Sequence, residues 1–148
     1  MKRELHPEKF FTKEEEERII NAIKQAEKQT SGEIRVHIAK RILGDPVKAA
    51  IKIFEKIGMT NTKERNGVLI LIGLKSKKIA VIGDKGIHQK VGEHFWNDVI
   101  KIITEEFKKG NFVEGLEKGI LKIGEKLKEF FPYKQDDVNE LPDEISKD

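Results

Sequence analysis

Hydrophobic and polar positions alternate along this chain with two distinct periods. Ile19, Ile20, Ile23 and Ala26 recur at helical spacing behind Thr12-Lys13-Glu14-Glu15. That tetrad is a capping box, in which the Thr hydroxyl takes an orphan N–H and the Glu reaches back. A first helix is expected over 13–29, with Gly32 supplying a left-handed stop. Glu33 to Ile38 then alternates strictly: Ile34, Val36 and Ile38 fall on one side, Glu33, Arg35 and His37 on the other. This is the pattern of a strand with one wet or polar face. Asp45-Pro46 opens a second helix by N-cap and first-turn chemistry; Val47, Ala50, Ile51 and Phe54 form its stripe and Gly58 ends it.

Residues 67–74 are almost wholly apolar, as in a central strand buried on both faces. A short polar connection at 75–77 leads to a third strand over 78–82, and a link this short makes the pair antiparallel. A third helix is expected over about 88–108 and a fourth over about 112–131. Glycines 115, 119 and 124 lie near one stripe of the fourth, where they would let it approach the sheet closely. The fold class is therefore α/β: a mixed sheet of three or four strands with about four helices on its two faces, a three-layer sandwich. Residues 1–131 make one domain, followed by an acidic tail over 132–148 that reads as extended and solvated.

Composition narrows the chemistry. The 148-residue chain has no cysteine, which removes disulfides, thiolate metal sites and thiol nucleophiles. Apolar and charged residues each make up 37%. Abundant Lys and Glu without Cys is compatible with a thermophile origin. No apolar run approaches the roughly 18 residues of a membrane span, and the first residues lack the apolar stretch of a signal peptide, so the cytoplasm is the expected compartment. Net charge is +3 overall. The tail sets Lys134 and Lys147 against Asp136, Asp137, Glu140, Asp143, Glu144 and Asp148. The body is correspondingly more basic, but its lysines are scattered with few interleaved aromatics, so nucleic acid is not the expected partner.

Topology decides which polar residues meet. The first strand, second helix and second strand form a βαβ unit, so those strands run parallel; the third strand returns. Thr30-Ser31-Gly32-Glu33, Thr60-Asn61-Thr62, Arg65-Asn66-Gly67 and Gly83-Asp84-Lys85-Gly86 then gather at one end of the sheet. Oxygens of Glu33, Asn66 and Asp84 there suit Ca²⁺ or Mg²⁺. Arg65, Lys85 and the start of the third helix suit an anion such as phosphate, with Ser31 and Thr62 orienting it. Each residue has a plainer reading: Asp84 as a helix cap, Glu33 as a solvated or Arg-paired strand residue, Asn66-Gly67 as turn chemistry. Asp45 falls at the opposite end, where capping accounts for it. His37 is a lone strand histidine, His88 and His94 lack metal spacing, and Phe95-Trp96 belongs to the core. The tail acids Asp136, Asp137 and Asp143 offer further metal oxygens or a solvated surface.

These motifs carry a resemblance. T-S-G-E-I-R-V-H-I at 30–38, G-M-T-x-T-x-x-R-N-G-V-L-I at 58–70 and K-I-A-V-I-G-D-K-G-I at 78–87 resemble the TPM domain family. F-F-P-Y at 130–133 and N-E-L-P-D-E at 139–144 resemble its short bacterial branch. The family includes thylakoid-lumen, photosystem-repair and receptor-auxiliary proteins. The resemblance implies an α/β/α sandwich and three kinds of activity seen among members: weak acid phosphatase, Ca²⁺ binding, and partnership in assembling or repairing protein complexes. Glu33, Arg65, Asn66 and Asp84 stand at matching motif positions. In the enzymatic reading Asp84 is a metal ligand or general base and the substrate is a phosphate monoester; in the other the chain is a non-catalytic interaction module.

Overall fold

The chain folds in the order α1 (Lys13–Glu27), β1 (Glu33–Ala39), α2 (Pro46–Lys56), β2 (Gly67–Gly73), β3 (Lys78–Gly83), α3 (Lys85–Lys108), α4 (Phe112–Phe130) and β4 (Ile145–Lys147). This is a computed structural model, and it describes residues 3–133, 141 and 143–148. Tail residues Lys134, Asp136, Asp137 and Glu140, and half of the 139–144 motif, lie outside the described residues. The sheet runs β3-β2-β1-β4. β1 is parallel to β2 and to β4, and β3 is antiparallel to β2.

Each helix start has a local cause. Thr12 and Glu15 close the expected capping box on α1. Asp45 accepts the Val47 N–H ahead of Pro46. Asp84 caps α3, which therefore begins at Lys85 rather than 88, and Gly92 kinks it at φ 74°. Two cores result. Ile34, Val36, Ile38, Val68 and Ile70 face α1, α3 and α4. Leu69, Leu71 and Ala80 face α2 with Phe54 and Met59.

Three expectations need correction. Gly32 does not take the left-handed conformation; a Cβ there would lie 2.6 Å from the Leu127 side chain, so packing against α4 requires the glycine. The α4 glycines approach other helices, not the sheet: Gly115 meets Phe107, Gly119 meets Ile103, and Gly124 meets Ala26. The supposed wet face of β1 is dry. Glu33, Arg35 and His37 are only 3%, 6% and 3% exposed. α2 lies over β2 and β3, and the C-terminal segment covers β1 on the same side, with Leu141 in the core. The F-F-P-Y motif sets up this return: the Thr30 hydroxyl and Ser31 N–H both donate to the Phe131 carbonyl, and Tyr133 N–H donates to Gln29 O at 3.1 Å.

Candidate functional site

The three loops do converge. Glu33 is in register with Gly67, and Val68 with Gly83. Beyond the strands, Asp84 N–H donates to Gly67 O at 2.8 Å and Gly86 N–H to Arg65 O at 2.8 Å. Gly86 is glycine because a Cβ would strike the Glu64 and Arg65 carbonyls. The first turn of α3 is thus pressed against the loop that enters β2.

The polar groups at this end divide into three sets. In the first, Arg65 donates to both carboxylate oxygens of Asp84, Nε to Oδ2 at 2.6 Å and Nη2 to Oδ1 at 2.9 Å. Lys85 N–H adds a bond to Oδ1 at 2.7 Å. Such a bidentate fork is among the stronger ion pairs. Arg65 holds a left-handed backbone, φ 50°, that is uncommon for a residue with a side chain. The Lys85 side chain is exposed.

The second set is the buried row on β1, and the tail answers it group by group. Leu141 N–H donates to Glu33 Oε1 at 2.6 Å. Arg35 Nη2 meets Glu144 at 2.8 Å. His37 bonds Ser146 Oγ through Nδ1 at 2.7 Å and faces Asp148 Oδ1 through Nε2 at 3.1 Å. Nearby, Glu27 Oε2 accepts the Ile34 N–H at 2.8 Å. Burial, reinforced by the neighbouring Asp143, pushes Glu27 up to about 10, so it keeps its proton at neutral pH.

In the third set two buried oxygens, those of Asn66 and Thr62, lack a hydrogen-bond partner. Ser31 Oγ donates to Glu64 Oε2 at 2.7 Å. The Asn66 amide nitrogen reaches Ser31 Oγ at 3.4 Å and Glu64 Oε2 at 3.5 Å. Its oxygen, Oδ1, is buried with no hydrogen-bond donor, and Asn66 is only 1% exposed. Thr62 Oγ1, at the start of the same turn, is likewise buried without a partner. Buried polar atoms are seldom left this way. Sequence reading missed Glu64. It is the sole carboxylate of the 59–66 loop, and its place beside Arg65-Asn66 was the available signal. Among the described residues no group of three or more His, Asp or Glu side chains is arranged to hold a metal ion. Glu33 and Asp84 each turn to a different protein partner rather than to Asn66.

A TPM domain model matches residues 6–126. The chain belongs to the TPM domain family. Among solved structures, this TPM domain protein is similar to the BA42 protein of the psychrophilic bacterium Bizionia argentinensis. That protein is 47% identical, with a TM-score of 0.87 over 94% of this chain and 96% of its own. The N-terminal domain of a P. gingivalis protein shares the fold at 21% identity, with a TM-score of 0.62 over 84% of this chain and 83% of its own. No curated protein matches this TPM domain protein.

Proposed function

We propose that the loop end of the sheet binds a hard divalent cation, Ca²⁺ or Mg²⁺, through oxygens of Ser31, Glu64 and Asn66, with Thr62 alongside. The observation that carries this reading is the buried, donorless Oδ1 of Asn66, a residue whose amide nitrogen reaches a hydroxyl and a carboxylate. Carbonyl, hydroxyl and carboxylate oxygens are the donor types such cations take, and a site with one carboxylate belongs at the weak end of the affinity range. This reassigns the ligand role away from Glu33 and Asp84, whose oxygens serve the tail and Arg65.

A cation held there supplies positive charge against phosphoryl oxygens. The protein's own part in a weak acid phosphatase activity is electrostatic. Asp84 positions Arg65, and Arg65 with Lys85 presents cationic groups to a phosphate monoester. Calorimetric titration of metal-stripped protein with Ca²⁺ and Mg²⁺ tests the binding step; absence of heat at millimolar metal overturns it. A chromogenic phosphate-ester assay on wild type and Asp84→Asn tests the reaction. Loss of rate on releasing Arg65 supports it, and equal rates refute it.

The interaction-module reading draws on a different feature. Leu43, Val47 and Ile51 are 82%, 47% and 48% exposed at the start of α2 and the loop before it. If that surface docks a protein, Val47→Glu/Ile51→Glu abolishes binding of an isolated partner and leaves the cation titration unchanged. Equal partner binding by the double variant argues against it.

A further inference from the structure

A cavity lies at the end of the sheet opposite the loops of Ser31 and Asn66, where the β2–β3 hairpin turns. It holds about 490 Å³, within the range of small-molecule sites. Its walls come from four parts of the chain: Leu5 and Phe10 before α1, Leu74 and Ile79 of the hairpin, Ile100 and Phe107 of α3, and Phe112 at the start of α4. Ile79, Ile100 and Phe107 pack on the main core yet remain only partly covered. The gap is therefore an opening in the helical layer that leads to core side chains. Water inside it would find few partners, since among the described residues the one uncharged polar side chain in the lining is Thr104.

The charge around it has one sign. Lys77, Lys78 and Lys108 line the cavity, and among the described residues no carboxylate does. Lys78 Nζ is engaged, donating to Gly44 O at 2.9 Å. Lys77 and Lys108 are exposed. Lys77 also keeps a left-handed backbone, φ 53°, in the tight turn. An apolar chamber under a cationic mouth is complementary to a single alkyl chain that ends in an anion. It is a poor match for a phosphorylated polar molecule, which would need many more donors. We propose that this cavity binds a free medium-chain fatty acid, with its chain against Leu74, Ile79, Ile100 and Phe107 and its carboxylate at Lys77 and Lys108. The site is independent of the cation end of the sheet.

The test titrates the full-length protein with monomeric dodecanoate, followed by calorimetry and by amide shifts. One molecule should bind per chain, with shifts confined to the hairpin, the second half of α3 and residues 5–10. Shortening to decanoate should weaken binding about tenfold, by the loss of two buried methylenes. Lys77→Glu/Lys108→Glu should weaken it about tenfold through repulsion of the head, with far-UV circular dichroism and Tm unchanged. Thr104→Phe, which fills the chamber from α3, should abolish it in a protein that still melts cooperatively. Dodecyltrimethylammonium binding as tightly as dodecanoate, or an unchanged affinity in the lysine variant, overturns the proposal. So does a protein that ignores dodecanoate but sediments with phosphatidylglycerol vesicles.

Discussion

β1 and the loop that enters β2 each bury polar side chains, and the two regions differ in which atoms are left over. Along β1, Glu33, Arg35 and His37 meet Leu141 N–H, Glu144, Ser146 and Asp148 in turn, and Arg35 Nε, a donor, is left without a hydrogen bond. At the loop end, Asn66 Oδ1 and Thr62 Oγ1 are buried without partners. Burial alone therefore does not mark a site here. Buried groups that the chain itself satisfies hold a segment in place, whereas buried acceptors left over are where an outside ligand is favoured. The cost of an unpaired buried acceptor, about 1–3 kcal/mol, is large enough for a bound cation to recover part of it.

The sharpest way to break this contrast is Gly86→Ala. A Cβ at residue 86 collides with the Glu64 and Arg65 carbonyls, so the variant should lose about 3 kcal/mol by overpacking. Chemical denaturation measures the loss. Calcium response should vanish while amide exchange on β4 stays slow. Glu33→Ala attacks the other region. It leaves the buried Leu141 N–H without its acceptor and should cost about 2 kcal/mol. Exchange at 145–148 should quicken, and the calcium response should survive.

Glu27→Gln reports on the same covered region through pH. The folded chain holds a proton on Glu27 up to about 10, and the unfolded chain releases it near the ordinary 4.5. Stability from this group is thus greatest below 4.5 and declines as pH rises from there towards 10, by about 1.4 kcal/mol per pH unit near neutrality. Denaturation midpoints between pH 5 and 9 should fall less steeply in the Gln variant than in wild type. Thr62→Val should have the smallest effect. Removing a buried hydroxyl with no partner should raise metal-free stability, by about 1 kcal/mol, with calcium affinity falling measurably.

Much of this architecture was legible in the order of residues. Helical stripes, the Thr12 and Asp45 caps and the two-residue period of β1 located the elements, and the tight 75–77 connection forced β3 to reverse. That reversal brought Asp84 beside Arg65 and Gly67. β4 was not legible because three residues, Ile145–Lys147, carry no period, and its pairing depends on charges more than 100 positions away. The polar side of β1 consequently read as wet. Glu64 was passed over for a related reason. A carboxylate in a polar loop has no pattern of its own, and only the close approach of Ser31 gives it meaning.

The central claim is that the buried, donorless Asn66 Oδ1 near Ser31 and Glu64 marks a cation site. Amide spectra of the metal-free protein should be recorded as Ca²⁺ is raised to about 10 mM, a concentration that saturates weak oxygen-ligand sites. The largest shifts should fall at Ser31 and over 62–66, and Glu64→Gln should abolish most of the response. No shift at that concentration, or shifts restricted to β1 and β4, would contradict it.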